Sequence, residues 1–212
     1  RNHGNSFHNN SHSTEYVAKD VLNWLDYMGF DKVILLGHSM GGLAAMQIAL
    51  EHPERVLGLL IVDIAPKSYY VDYSYEFAAL NIDVSQMHSR EEIDREMANY
   101  ITEQGLRGFL QTNIVRDENN RFQWKLNVKG LENAQNRASF QVDNDLTYER
   151  PSLFLLGGES GFVQAEDRGE IQRRFPKAEI EIFDDAGHWL HYTKMSKFCN
   201  SVKEFMNRYE LN

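Results

Sequence analysis

The stretch KVILLGHSMGG at residues 32–42 decides the fold. The run from Lys32 to Gly37 is apolar after its first residue, too short for a helix, and typical of a strand buried on both faces of a parallel sheet. A glycine-rich turn then leads into the helical sequence LAAMQIALE at residues 43–51, and VLGLLIVDI at residues 56–64 is a second apolar strand. Strand, helix and strand in this order predict a right-handed parallel crossover.

The same alternation continues on either side of this stretch. A helix is predicted after Thr14, which could cap it, and Gly29 is placed to end it. Later in the chain the pattern predicts a buried strand at residues 151–157, a helix at 165–175, an alternating edge strand at 178–183 and a final amphipathic helix. We therefore expect an α/β fold with a mostly parallel sheet flanked by helices.

Between the two sets of strands the pattern changes to aromatic residues and short helical segments. The expected organisation is a core formed by residues 1–66 and 149–212, with a helical cap inserted at residues 67–148. Within the cap, Ser89 and Glu92 form a capping-box pattern, and the helix they begin is expected to run to Gly105.

Composition excludes several classes of function. The 212 residues contain 22 Lys+Arg and 31 Asp+Glu, for a net charge of −9, which argues against binding to nucleic acid or to an anionic membrane surface. The single cysteine, Cys199, cannot form an internal disulfide, and no apolar stretch is long enough for stable membrane insertion. We expect a soluble intracellular protein in the cytoplasm, with the mitochondrion as the alternative.

The motif at the turn is G-x-S-x-G, formed by Gly37-His38-Ser39-Met40-Gly41. A serine on a sharp strand-to-helix turn has strained backbone angles, so that its hydroxyl points outward and the flanking glycines prevent clashes. The backbone N–H of Met40 would face an oxyanion formed when Ser39 attacks a carbonyl. The alternative is a glycine-rich turn that carries an incidental serine.

A serine hydroxyl needs a general base at neutral pH, and His188 is the best placed of the eight histidines. It lies just past the last predicted strand, so it should emerge at the same carboxyl edge of the sheet as Ser39. The alternative is an exposed loop histidine. The spacing of His188 and His191 could suggest a metal, but no further ligand pattern accompanies it, so no metal site is expected.

Several ordered motifs extend this pattern along essentially the whole chain. They are RNHGxS at residues 1–6, GHSMGG at 37–42, VDIAP at 62–66, LGGES at 156–160, FV at 162–163 and AGHW at 186–189. The set resembles the α/β-hydrolase superfamily, and within it the YbfF-type esterases and their ABHD-eleven-like relatives. The resemblance implies that earlier strands and a His-Gly loop with a second oxyanion donor precede Arg1, so we expect this chain alone to be unstable or prone to aggregation.

The resemblance also bears on the acid that would orient His188. The superfamily usually places it in the loop where this sequence has Gly157-Gly158-Glu159-Ser160, whereas the resembling subgroup carries an Asp at the position of Asp63 and a Ser in the later loop. We therefore predict that Asp63 orients His188 and that Ser160 assists by hydrogen bonding. Glu159 and Asp167 are the rival acids, and Asp63 could instead merely cap a strand.

These residues predict a serine hydrolase that forms an acyl-enzyme and requires no cofactor. The cap would cover the site and line an apolar pocket, which favours small-molecule acyl esters or thioesters of short to medium chain length. His38, Phe162 and Trp189 are the predicted substrate-binding residues. The alternatives are a carbon–carbon bond hydrolase, an acyltransferase, or a non-catalytic ligand-binding module.

Overall fold

The computed structural model describes residues 1–134 and 138–211. The chain forms two compact units. The core unit comprises Thr14–Tyr69 and Ala138–Asn212, and the insert unit comprises Arg1–Ser13 and Tyr70–Arg137. Arg1–Ser13 thus group with the insert unit, although the sequence pattern placed residues 1–66 together in the core.

In chain order, the helices and strands of the described residues are α1 (Thr14–Met28), β1 (Val33–His38), α2 (Met40–Glu51), β2 (Val56–Val62), α3 (Ser74–Leu80), α4 (Arg90–Met97), α5 (Gln104–Gln111), β3 (Ile114–Arg116), β4 (Phe122–Trp124), α6 (Val128–Glu132), β5 (Ser152–Gly157), α7 (Asp167–Arg174), β6 (Ala178–Phe183), α8 (Leu190–Thr193) and α9 (Met195–Arg208). Two single-turn 3-10 helices lie at Pro53–Arg55 and Val84–Gln86.

The core unit is built on a parallel sheet with the strand order β1-β2-β5-β6. Successive residues of its central strands pack on opposite faces. Leu59 and Ile61 of β2 contact the cluster that includes α2 and α7, whereas Leu60 and Val62 contact the cluster that includes α8 and α9. Side chains alternate across a strand, so the apolar run of β2 requires helices on both faces. The predicted parallel α/β architecture is confirmed.

Strand β1 differs from its prediction as a strand buried on both faces. It lies at one edge of the described sheet and pairs there with β2. Ile34 and Leu35 are only half-buried, and Leu36 is 50% exposed. An edge strand has neighbours on one side, so its apolar side chains are covered less completely than those of β2.

Helix α1 confirms the predicted end and corrects the predicted start. Gly29 follows the last helical residue with φ = 72°, a left-handed conformation that glycine adopts without a Cβ penalty. The N–H of Phe30 donates to the carbonyl of Leu25, which closes the helix end. Thr14, however, is itself helical, and its buried hydroxyl has no hydrogen-bond partner among the described residues. It is therefore not the cap.

In the insert unit, the predicted helix from Ser89 to Gly105 is wrong in length. The Ser89 hydroxyl accepts a hydrogen bond from the N–H of Glu92, as predicted, but α4 ends at Met97. The physical reason lies in Arg107, whose Nη1 donates to the carbonyls of Ile101 and Thr102. These hydrogen bonds satisfy the carbonyls of two residues in the non-helical connection after α4. Continuation of the helix is therefore not required to pair these backbone groups.

The insert unit has its own apolar core, which includes Ile93, Met97 and Phe122. Tyr70 and Tyr75, two of the aromatic residues of the predicted cap, are mostly exposed instead. None of the described helices combines the length and the apolar character needed to cross a membrane.

Candidate active site

Loops that carry chemically reactive residues leave the sheet at the carboxyl ends of its strands. His38 of β1 is in register with Val62 of β2, and Gly157 of β5 is in register with Phe183 of β6. Ser39, Asp63, Ser160 and His188 follow these strand ends within a few residues. All four residues belong to the core unit. Parallel strands bring their carboxyl ends to one edge, where ligands bind in open α/β sheets.

Ser39 occupies the turn between β1 and α2 with a strained backbone, at φ = 53° and ψ = −122°. Its N–H donates to the carbonyl of Val62 at 3.1 Å, which ties the turn to the neighbouring strand. Its hydroxyl does not cap α2, although the residue stands at the N-cap position. Left-handed backbone angles in a non-glycine residue cost free energy and persist where the surrounding structure imposes them.

The glycines around Ser39 do not contribute equally to this turn. A Cβ added at Gly37 would lie 2.4 Å from the carbonyl oxygen of Gly41, and one at Gly42 would lie 2.5 Å from Cγ2 of Ile64. A Cβ added at Gly41 would meet no atom within 4 Å. The prediction that the glycines on both sides of Ser39 lack side chains for steric reasons therefore holds for Gly37 but is wrong for Gly41.

Asp63 follows β2 with φ = 51°, and its side chain is fully buried. Its Oδ1 accepts the N–H of Gly157 at 2.9 Å, and its Oδ2 accepts the hydroxyl of Ser160 at 2.5 Å and Nδ1 of His188 at 2.7 Å. Burial by itself would raise the pKa of Asp63, but the hydrogen bonds from His188, Ser160 and Gly157 outweigh it and lower the pKa. The carboxylate is thus stabilised in its charged form.

His188 lies in the loop between β6 and α8, with its side chain 18% exposed. The ring of Phe162 stacks on the imidazole at a centroid distance of 4.0 Å and an interplanar angle of 20°. The loop also packs tightly against the sheet, because a Cβ at Gly157 would lie 2.6 Å from the carbonyl oxygen of Gly187. Sheet, carboxylate and aromatic ring together restrict the orientation of the imidazole.

The rival acids make other contacts. Asp167 Oδ2 accepts Nζ of Lys67 at 2.6 Å and the N–H of Gln164 at 2.8 Å, which explains its position at the start of α7. Glu159 is exposed, and its backbone N–H bonds to the carbonyl of Ala186. Of these three carboxylates, Asp63 is the one that the structure joins to His188.

The predicted substrate-binding residues lie around the same imidazole. Nε2 of His38 lies 2.9 Å from the carbonyl oxygen of His188, and Phe162 stacks on the His188 ring. Trp189 is 36% exposed, with its ring centroid 5.5 Å from that of His38. Met40 is the first residue of α2. Contact of His38, Phe162 and Trp189 with a substrate stays a prediction, as does the role of the Met40 N–H as an oxyanion donor.

Two further residues lie near the site, and the sequence did not predict their contacts. The Tyr69 hydroxyl accepts the N–H of Ala65 at 2.9 Å and donates to the carbonyl of Phe162 at 3.0 Å, so it connects the loop after β2 with the loop that carries Phe162. The ring of His191 lies 4.3 Å from that of His38. No local pattern could reveal the Tyr69 contact, since its partner is 93 positions away in the chain.

The rings of three histidines cluster near the site, and histidine often binds metal ions in proteins. Within the described ranges, 1–134 and 138–211, no group of three or more His, Cys, Asp or Glu residues is arranged to hold a metal ion. Burial, together with the neighbouring His188, lowers the pKa of His191 and lowers that of His38 to about 4. Both rings are therefore neutral at neutral pH.

Comparison with known proteins shows similarity to ester hydrolases. Residues 1–195 match the family described as alpha/beta hydrolase fold. The sn-1-specific diacylglycerol lipase ABHD11 of Mus musculus is 36% identical over 97% of this chain and 69% of its own length. Esterase YbfF of Escherichia coli is 31% identical over 98% of this chain and 80% of its own length.

A solved structure is also similar. A marine microorganism esterase is 35% identical and superposes with a TM-score of 0.91, over 97% of this chain and 82% of its own. Relatives named esterase and lipase support a carboxylic ester hydrolase.

Proposed function

Because the chain belongs to the alpha/beta hydrolase fold family, we propose that it is a serine-dependent carboxylic ester hydrolase in which Ser39 is the nucleophile. One observation carries the proposal. Nε2 of His38, the residue directly before Ser39, hydrogen-bonds to the backbone carbonyl of His188. The imidazole of His188 in turn hydrogen-bonds to the buried carboxylate of Asp63. The candidate nucleophile, the imidazole and the carboxylate thus lie at one edge of one sheet, which supports the proposal that they act together as a hydrolytic triad.

In the proposed reaction, His188 removes the hydroxyl proton as Ser39 attacks the acyl carbonyl. Asp63 accepts the Nδ1–H of His188, which leaves Nε2 as the basic nitrogen and stabilises the imidazolium that forms. The Met40 N–H at the start of α2 is the proposed oxyanion donor. His188 then returns the proton to the leaving alcohol or thiol, and water releases the acyl group by the reverse sequence.

The proposed substrates are apolar acyl esters or thioesters. The mouse relative is named for diacylglycerol, a neutral lipid ester, and the bacterial relative is named simply an esterase. The acidic net charge agrees with a neutral rather than a polyanionic substrate. We also propose an intracellular location, since the single cysteine of the sequence indicates no use of internal disulfides.

The test is hydrolysis of p-nitrophenyl acetate, butyrate and octanoate by the full protein. We expect turnover in the wild type and a loss of at least about 10³-fold in Ser39→Ala and in His188→Ala. Ser201→Ala on α9, whose hydroxyl donates to the carbonyl of Lys197, is the matched control and should retain full activity. Equal activity in Ser39→Ala and the wild type would refute the proposal.

A further inference from the structure

The side chain of His38 contacts the loop that carries His188 rather than open solvent. Its Nε2 lies 2.9 Å from the carbonyl oxygen of His188. A carbonyl oxygen can only accept a hydrogen bond, so Nε2 must carry the proton of this contact. The bond therefore links the last residue of β1 to a residue 150 positions later in the chain.

The surroundings of His38 keep its ring in the neutral form. The ring is tilted against those of His188 and His191, with centroid distances of 4.5 Å and 4.3 Å. Burial and these two neighbours disfavour a second proton on the His38 ring. A neutral imidazole has one N–H, which is committed to the carbonyl of His188.

The contact acts on the backbone of His188, whereas Asp63 and Phe162 contact its side chain. Asp63 holds Nδ1 of the imidazole, and Phe162 covers one face of the ring. Both act on the side chain rather than on the backbone. Gly187 directly precedes His188, and glycine allows more backbone conformations than any other residue. A hydrogen bond to the carbonyl of His188 restricts the backbone at the residue that carries the imidazole.

We propose that His38 is a positioning residue that holds the His188 backbone so that the imidazole stays directed toward Ser39. The inference rests on the proposed function and assigns His38 a role other than contact with the substrate. A substrate contact would appear mainly in KM, whereas a misdirected base reduces kcat. Displacement of a catalytic group by about 1 Å can cost on the order of 10²-fold in rate.

The test compares His38→Met, which lacks the donor, with His38→Gln, which retains an N–H at similar reach. With p-nitrophenyl butyrate, His38→Met should lower kcat about 10- to 100-fold with KM within about twofold of the wild type, and His38→Gln should restore most of the loss. Thermal melts identify any variant that fails to fold. His191→Met serves as the packing control, because its ring touches His38 and its Nδ1 has no hydrogen-bond partner among the described residues.

Three results would overturn the inference: an unchanged kcat in His38→Met, a change confined to KM, or a loss in His191→Met as large as that in His38→Met. Failure of the inference differs from failure of the proposed function. In the first case the wild type hydrolyses the ester and requires Ser39, whereas in the second case Ser39→Ala is as active as the wild type.

Discussion

Nδ1 of His188 lies 2.7 Å from Oδ2 of Asp63, although 125 positions of the chain separate the two residues. The carboxylate is fully buried, and Gly157 and Ser160 donate two further hydrogen bonds to it. A buried charge is tolerated when it is paired and hydrogen-bonded. The free energy required to bury Asp63 is therefore offset by contacts that also fix His188.

The first prediction concerns this pair. Asp63→Asn keeps the size of the side chain but removes the charge that stabilises the imidazolium, and its amide can impose the wrong tautomer on His188. We expect kcat to fall on the order of 10³- to 10⁴-fold with little change in KM. Steady-state hydrolysis of p-nitrophenyl butyrate measures both parameters.

Asp167→Asn is the control for this prediction. Asp167 pairs with Lys67 and does not contact His188, so the substitution should leave kcat within about threefold of the wild type. A large loss in Asp167→Asn together with a small one in Asp63→Asn would contradict the assignment of the acid.

The second prediction concerns Ser160, whose hydroxyl donates to the same oxygen of Asp63 as His188 does. Ser160→Ala removes one hydrogen bond to a charged group, so we expect a loss of roughly 10-fold in kcat/KM, smaller than that of Asp63→Asn. The donor lowers the pKa of Asp63, and its removal raises that pKa.

The loss should depend on the carboxylate of Asp63. In an Asp63→Asn background, Ser160→Ala should lower kcat/KM by clearly less than it does in the wild type, because the charged acceptor is already absent. Equal losses from Ser160→Ala in the two backgrounds would show that Ser160 does not act through Asp63.

The third prediction concerns the glycines of the turn. Gly37→Ala would force a Cβ against the backbone of Gly41, so we expect the free energy of unfolding to fall by roughly 2 kcal/mol or more. Gly41→Ala has open space around the added carbon and should be neutral or stabilise by up to about 1 kcal/mol. Urea unfolding measures both, and the reverse order of stabilities would contradict the packing of the turn.

The fourth prediction is a pH dependence of stability. Burial beside His188 and His191 lowers the pKa of His38 from 6.5 to about 4. Between these two values the unfolded chain binds a proton at His38 that the folded chain does not, so stability rises with pH across the window and is lost on acidification. The lowered pKa of His191 acts in the same direction.

His38→Gln should therefore lose less unfolding free energy than the wild type between about pH 7 and about pH 5. Ser201→Ala, which changes no titratable group, should follow the wild-type dependence. If the unfolding free energies of the wild type and His38→Gln changed with pH to the same extent, the His38 ring would not be buried in its neutral form.

The sequence predicted the parallel sheet and the edge that holds Ser39, Asp63 and His188, because short apolar runs identify buried strands and parallel strands share one carboxyl edge. It could not predict that α4 ends at Met97, since the contacts of Arg107 that stabilise the break depend on tertiary structure. Nor could it predict that His38 turns toward His188, because no local pattern encodes a contact across 150 positions.

The most direct test of the central claim is covalent labelling of the folded protein with a fluorophosphonate, followed by intact mass measurement and peptide mapping. The proposed chemistry predicts a single adduct on the peptide that contains Ser39, and no adduct in Ser39→Ala. An unlabelled wild type in a sample with a cooperative thermal melt, or an adduct that persists at another residue in Ser39→Ala, would contradict the claim that Ser39 is the nucleophile.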